Sequence, residues 1–138
     1  MTRFPPLSGL ALALFILAGA SCPARAAEPV AQESIHFAIE NLPLQQQGPQ
    51  VVTLGVTLGY AAGIGPKDYP DFEEVYRKLE VWMKTYPTKD DYWEVFNKQL
   101  CRRVLKEYPM LGSVTLELTI RPTFGVPYLQ TIRTTLTR

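Results

Sequence analysis

Histidine and cysteine are scarce in this chain, with one His (His36) and two Cys (Cys22 and Cys101) among 138 residues. One imidazole and two thiols in separate segments do not assemble the four-ligand set of an ordinary zinc site. His36 also has no nucleophile motif around it, so a Cys–His catalytic pair is not expected. An excess of either charge is missing too, because 14 basic residues face 13 acidic ones. Without a basic stripe to hold phosphates, nucleic acid is not an expected partner. The glycine-rich stretch Gly59-Tyr60-Ala61-Ala62-Gly63-Ile64-Gly65 matches neither the dinucleotide fingerprint nor the P-loop. It reads as a strand-to-helix connection with glycine turns.

Long apolar runs are lacking as well. The longest, Leu7 to Gly19, is about 13 residues, against roughly 20 for a membrane span. It follows a basic residue (Arg3) and precedes Ala24-Arg25-Ala26, the order of a charged n-region, a short h-region and an A-x-A cleavage site. The expectation is a signal peptide over residues 1–26, cut after Ala26, and a periplasmic or secreted domain over residues 27–138 with no integral membrane segment after cleavage. Gly19-Ala20-Ser21 lacks the aliphatic residue that lipidation of Cys22 would want. Arg3 and Arg25 leave with the signal, so 12 of the 14 basic residues remain against 13 acidic ones. The mature chain keeps one thiol and no intramolecular disulfide. Cys101 lies among apolar positions of a helical pattern and reads as a buried small hydrophobe, with a reactive thiol or an intersubunit bridge as the other readings.

What is present is a clear change of period along the chain. Ile35, Phe37 and Ile39 alternate as in a half-buried strand, and the break falls at Pro43 and the run Gln45-Gln46-Gln47-Gly48-Pro49. Val52, Leu54, Val56, Leu58 and Tyr60 form a second strand, with Thr53, Gly55, Thr57 and Gly59 on the other face, where small residues suggest close packing. From Asp71 the apolar residues fall at steps of three and four: Phe72, Val75, Tyr76, Leu79, Trp82, Met83, Tyr86. That is an amphipathic helix with Asp71 and Glu74 in capping-box spacing. Asp91 and Glu94 repeat the spacing ahead of a second helix that buries Phe96, Leu100, Val104 and Tyr108. Strand alternation returns at Val114 to Ile120, and the threonine-rich tail Leu129 to Thr137 is a last strand. The fold class is therefore α+β: a four-stranded antiparallel sheet with two helices on one face, in the order ββααββ. Such a sheet has two open edges, so the unit is expected to associate, and edge-to-edge closure into a barrel removes the edges.

The stretch from Glu94 through Tyr108 to the strand Val114–Ile120 and Arg121-Pro122 resembles the C-terminal half of dihydroneopterin aldolases. In that family a glutamate opens the second helix, an aromatic ends it fourteen residues later, and a Lys-Pro pair ends the third strand. The ββααββ order is also that of the family's tunnelling fold (T-fold), so the resemblance covers nearly all of the mature chain. It implies a cyclic homo-oligomer with ligand pockets at subunit interfaces and no cofactor. It also implies that Glu94 clamps the amino-pyrimidine edge of a pterin, whose adjacent N–H donors a carboxylate accepts in pairs. A helix-capping role for Glu94 stands beside that reading.

The chain departs from the family where protons move. Arg121 stands in place of the family lysine, and an arginine holds an oxygen or a ring but does not act as a general base. Phe72 aligns with the family tyrosine and has no hydroxyl, although Tyr69 or Tyr76 can replace it. The loop Leu44 to Gln50 lacks the family's acidic residue. The leading expectation is an exported protein that binds a pterin-like or purine-like planar heterocycle through Glu94, Phe72 and Arg121, without retro-aldol activity. The alternatives are an active dihydroneopterin aldolase or epimerase variant of folate-related metabolism, and an oligomeric adaptor for another exported protein.

Overall fold

A computed structural model describes residues 32–138; the expected signal peptide, the cut expected after Ala26, and Cys22 lie outside the described residues. Six elements follow one another: β1 (Ser34–Gln45), β2 (Pro49–Tyr60), α1 (Phe72–Lys84), α2 (Trp93–Glu107), β3 (Leu111–Ile120) and β4 (Gln130–Thr137). The strands form one antiparallel sheet in the order β1-β2-β3-β4. Alternation buries Val52, Leu54, Val56 and Leu58 of β2 and Val114, Leu116, Leu118 and Ile120 of β3 on one face. Both helices close over that face, α1 chiefly on β1 and α2 on β3 and β4. Val75, Leu79, Trp82 and Met83 of α1 join Phe96, Leu100, Cys101 and Val104 of α2 in a single core with the sheet residues. Burying each large apolar side chain contributes about 1.5–3 kcal/mol, and Phe96, with no exposed surface, is the position where truncation costs most, about 3–5 kcal/mol. The α+β architecture is as the sequence suggests, and the element order is compatible with a tunnelling fold.

Three details differ from the sequence reading. β1 runs on through Pro43 to Gln45. It does so because the register slips between Ile39 and Leu42, where Asn41 takes a left-handed conformation with φ 57°; this bulge re-phases the strand so that Leu42 and Leu44 point inward. Pro43 is tolerated because β1 is an edge strand, where one missing N–H leaves no ladder bond broken on the open side. Second, Asp91 does not cap α2. Its carboxylate accepts a 2.6 Å hydrogen bond from the Tyr86 hydroxyl, and the capping position is held by Tyr92, with no side-chain cap. Asp71 does cap α1, accepting from the amides of Glu73 and Glu74. Third, the small outer face of β2 meets no packed layer among the described residues. Its row-mates there are His36, whose Nδ1 is 3.0 Å from Thr57 Oγ1, and a ladder in which Thr115 and Thr135 hydroxyls lie 2.8 Å apart.

Candidate functional site

The start of α2 is fixed from outside the helix. At the tip of the β1–β2 hairpin, Gln46 Nε2 donates to the carbonyls of Thr88 (3.1 Å) and Asp91 (2.8 Å). Gln47 adds its own Nε2 to Asp91 O at 3.0 Å and its backbone N–H to Lys89 O at 2.7 Å. The glutamine run is therefore a clamp on the α1–α2 connection. It compensates for the missing cap by holding the entry to the helix in place. Asn97, one turn further on and fully buried, ties the helix down to the sheet: its Nδ2 reaches Leu116 O at 3.0 Å, Ile132 O at 3.3 Å and Thr134 Oγ1 at 3.1 Å. Neither residue stands out in the sequence except as a polar residue at an inward-facing phase of an element.

Glu94 sits on the first turn so fixed, and its side chain is exposed. It makes no ion pair or hydrogen bond among the described residues, so its carboxylate faces solvent free. The helix dipole favours a negative charge at this end; the Val95 amide donates to Tyr92 O at 3.0 Å, while the Trp93 and Glu94 amides have no acceptor among the described residues and no side-chain cap. Together they line a groove of about 480 Å³ with Tyr92, Trp93, Tyr128, Leu129 and Gln130. Three large side chains of its walls stand exposed, Tyr92 at 74%, Tyr128 at 60% and Leu129 at 62%, among polar neighbours. Gln130 opens β4, whose far edge is unpaired. The groove thus offers one anionic acceptor, backbone donors and flat aromatic sides, which suits a planar heterocycle with an N–H-rich edge.

The other two sequence candidates are placed differently. Arg121 follows the end of β3, at the same end of the sheet as the start of α2; its guanidinium donates to the Asn41 side-chain oxygen in the β1 bulge. Asn41 is a partner that the sequence reading missed, although the phase slip between Ile39 and Leu42 marks its position. Phe72 is half-buried at the first position of α1, at the opposite end of the sheet. Within one chain Glu94 and Phe72 are not brought together. Close to Phe72 in the chain lies a second group: Tyr69 donates to the Glu33 carboxylate, and its ring meets Tyr60 edge-on at 4.9 Å. These border a cavity of about 550 Å³ with Ala61 to Ile64. The hydrogen bond to Glu33 first, then burial, raises the Tyr69 hydroxyl above its ordinary value.

Cys101 is buried in α2, its Sγ 3.7 Å from Thr134 O, and burial pushes the thiol up to about 11. His36 lies on the outer face of the sheet, so the sheet itself separates the imidazole from the thiol. No family model matches this chain, and no curated protein matches it.

Proposed function

We infer that this is an exported, homo-oligomeric protein of tunnelling-fold type that binds a pterin-like or purine-like heterocycle in the Glu94 groove and does not carry out retro-aldol cleavage. One observation carries the reading: the Glu94 carboxylate, the position matching the family's pterin clamp, is free of any cap or ion pair and stands in an open groove walled by exposed aromatic rings. A carboxylate free in this way can accept two adjacent N–H donors from an amino-pyrimidine edge, and uncapped helix amides can donate to the neighbouring carbonyl. Tyr92, Tyr128 and Leu129 in water are costly unless covered, which supports a groove completed by a second subunit. The separation of Glu94 from Phe72 and Tyr69 fits the same reading, since opposite ends of the sheet meet only across a subunit boundary. Proton transfer is the part left without a base: a guanidinium does not serve as a general base, that of Arg121 is engaged by Asn41, and Phe72 has nothing to transfer.

The test is calorimetry with neopterin on the mature protein and on Glu94→Gln, beside an assay for glycolaldehyde release from dihydroneopterin. The expected result is binding by the wild type and a loss of about 1.5–3 kcal/mol in the variant, the scale of a hydrogen bond to a charged group. Equal affinity in the two proteins would remove Glu94 from the site. Rapid glycolaldehyde release would establish the aldolase alternative instead.

A further inference from the structure

On the solvent side of the helical layer, away from the Glu94 groove, α1 and α2 touch one another only sparsely and leave an open trough of about 740 Å³ between them. Trp82 and Tyr86 of the α1 side form its floor, and Gln99, Arg102, Arg103 and Lys106 of α2 line its wall. The charges in and around it are unevenly used. The carboxylates are engaged: Asp91 accepts from Tyr86, Glu107 and Glu74 hold Lys78, and Glu80 holds Lys84. Arg102, Arg103 and Lys106 have no carboxylate partner among the described residues. Asp91 and Glu107 line the same trough, so three cations face two carboxylates there, but among the described residues only the cations are left without an ion pair or hydrogen bond of their own.

Arg103 is also pre-set. Its guanidinium carbon lies 4.3 Å from the centroid of the Trp82 ring, which holds the group over the aromatic face and leaves its N–H edges free to fork a carboxylate. Gln99, Arg103 and Lys106 follow one another at helical steps of four and three, about 10 Å in all at 1.5 Å per residue. The donors come from side chains on the middle and later turns of α2, remote from the helix start where backbone N–H groups gather round a compact phosphate. Donors spread along a line, beside an aromatic floor, match carboxylates spread along a chain.

We propose that this trough docks an acidic segment of a partner protein, with two or more Asp or Glu carboxylates paired to Arg103, Arg102 and Lys106 and the segment's aliphatic parts on Trp82 and Tyr86. This goes beyond the heterocycle reading and does not depend on it, because no residue of the trough lines the Glu94 groove. The partner is recognised by charge complementarity at a fixed spacing, and its association is sensitive to salt.

The experiment measures binding of a fluorescein-labelled octaglutamate peptide to the mature protein by anisotropy at low and moderate salt. Arg103→Glu is compared with Lys98→Glu, the same change of charge on the same helix outside the trough. Sodium pyrophosphate and phosphatidylglycerol-containing vesicles are tested in parallel. The expected result is peptide binding that weakens with salt, falls about tenfold or more in Arg103→Glu, and changes by no more than about threefold in Lys98→Glu. Circular dichroism melts confirm that both exposed substitutions leave the fold intact. Equal losses in the two variants, or no peptide binding, would overturn the proposal. Tighter binding of pyrophosphate or of vesicles than of the peptide would overturn it in favour of a phosphate or membrane ligand.

Discussion

Cys101 shows what a single residue can carry in this fold. Its thiol is raised by burial from the ordinary 9.0 to about 11, and the Tyr86 hydroxyl is raised from 10.0 to about 12 by burial and then by the Asp91 carboxylate. Both groups are more easily ionised in the unfolded chain. Their contribution is therefore intact below pH 9 and is lost as pH rises through the folded values. For the thiol, two pH units correspond to roughly 2–3 kcal/mol. Melting temperature is expected to fall between pH 9 and 12, with a shallower fall in Cys101→Ala over the lower part of that window. A thiol reagent at pH 8 should leave native Cys101 untouched and label it promptly in denaturant. An unchanged alkaline limb in the alanine variant would refute the assignment. The buried state of Cys101 is legible in the sequence because a thiol among Leu100, Val104 and Phe96 at helical spacing has few other places to be. The roles of Gln46 and Asn97 are not, because a polar residue at an inward phase reads as a flaw in the pattern until its acceptors, which come from distant segments, are known.

At the level of elements, the contrast between the two helices is instructive. α1 has its own cap in Asp71, whereas α2 begins at Tyr92 with none and relies on Gln46 and Gln47. Asp or Ser at a helix N-cap is favoured over other residues by about 0.5–2 kcal/mol, so Tyr92→Asp is expected to raise the melting temperature. The same change strips an aromatic wall from the Glu94 groove and adds a second negative charge beside the first, so neopterin affinity is expected to fall. A more stable protein that binds as well as before would show that Tyr92 is not part of the site. The sequence has the right spacing for a capping box at both helices, Asp71 with Glu74 and Asp91 with Glu94. Spacing does not reveal that Asp91 is claimed by the Tyr86 hydroxyl, and that competition is what frees Glu94. The β1 bulge was likewise half-legible: the alternation visibly changes phase after Ile39, but whether a strand ends or re-phases there depends on the partner β2 supplies.

At the scale of the whole molecule, β1 and β4 are the open edges of the sheet among the described residues. β1 is blunted by Pro43 and its bulge, while β4 carries eight residues without proline or lysine, an edge suited to pairing. The groove, the exposed Tyr128 and Leu129, and this edge are contiguous. The protein is expected to sediment as an assembly larger than a dimer at micromolar concentration. Leu129→Glu, at a position already 62% exposed, should dissociate it with little change in the far-ultraviolet spectrum. A wild-type monomer would count decisively against the ring. Edges, layers and element order are legible in sequence because they follow from periodicity. The meeting of Glu94 with its aromatic walls is not, because β4 and the start of α2 lie some forty residues apart along the chain and share no pattern.

Asn97 gives that edge strand an unusual constraint. By reaching Leu116 O on β3 and both Ile132 O and Thr134 Oγ1 on β4, one amide group staples the helix to two neighbouring strands at once. An edge strand normally frays alone, peeling from its neighbour while the rest of the domain stays closed. Here β4 cannot peel without stranding a buried amide, so its opening is tied to the lifting of α2. The strand that offers itself to a partner is thereby also the strand least free to wander in search of the wrong one.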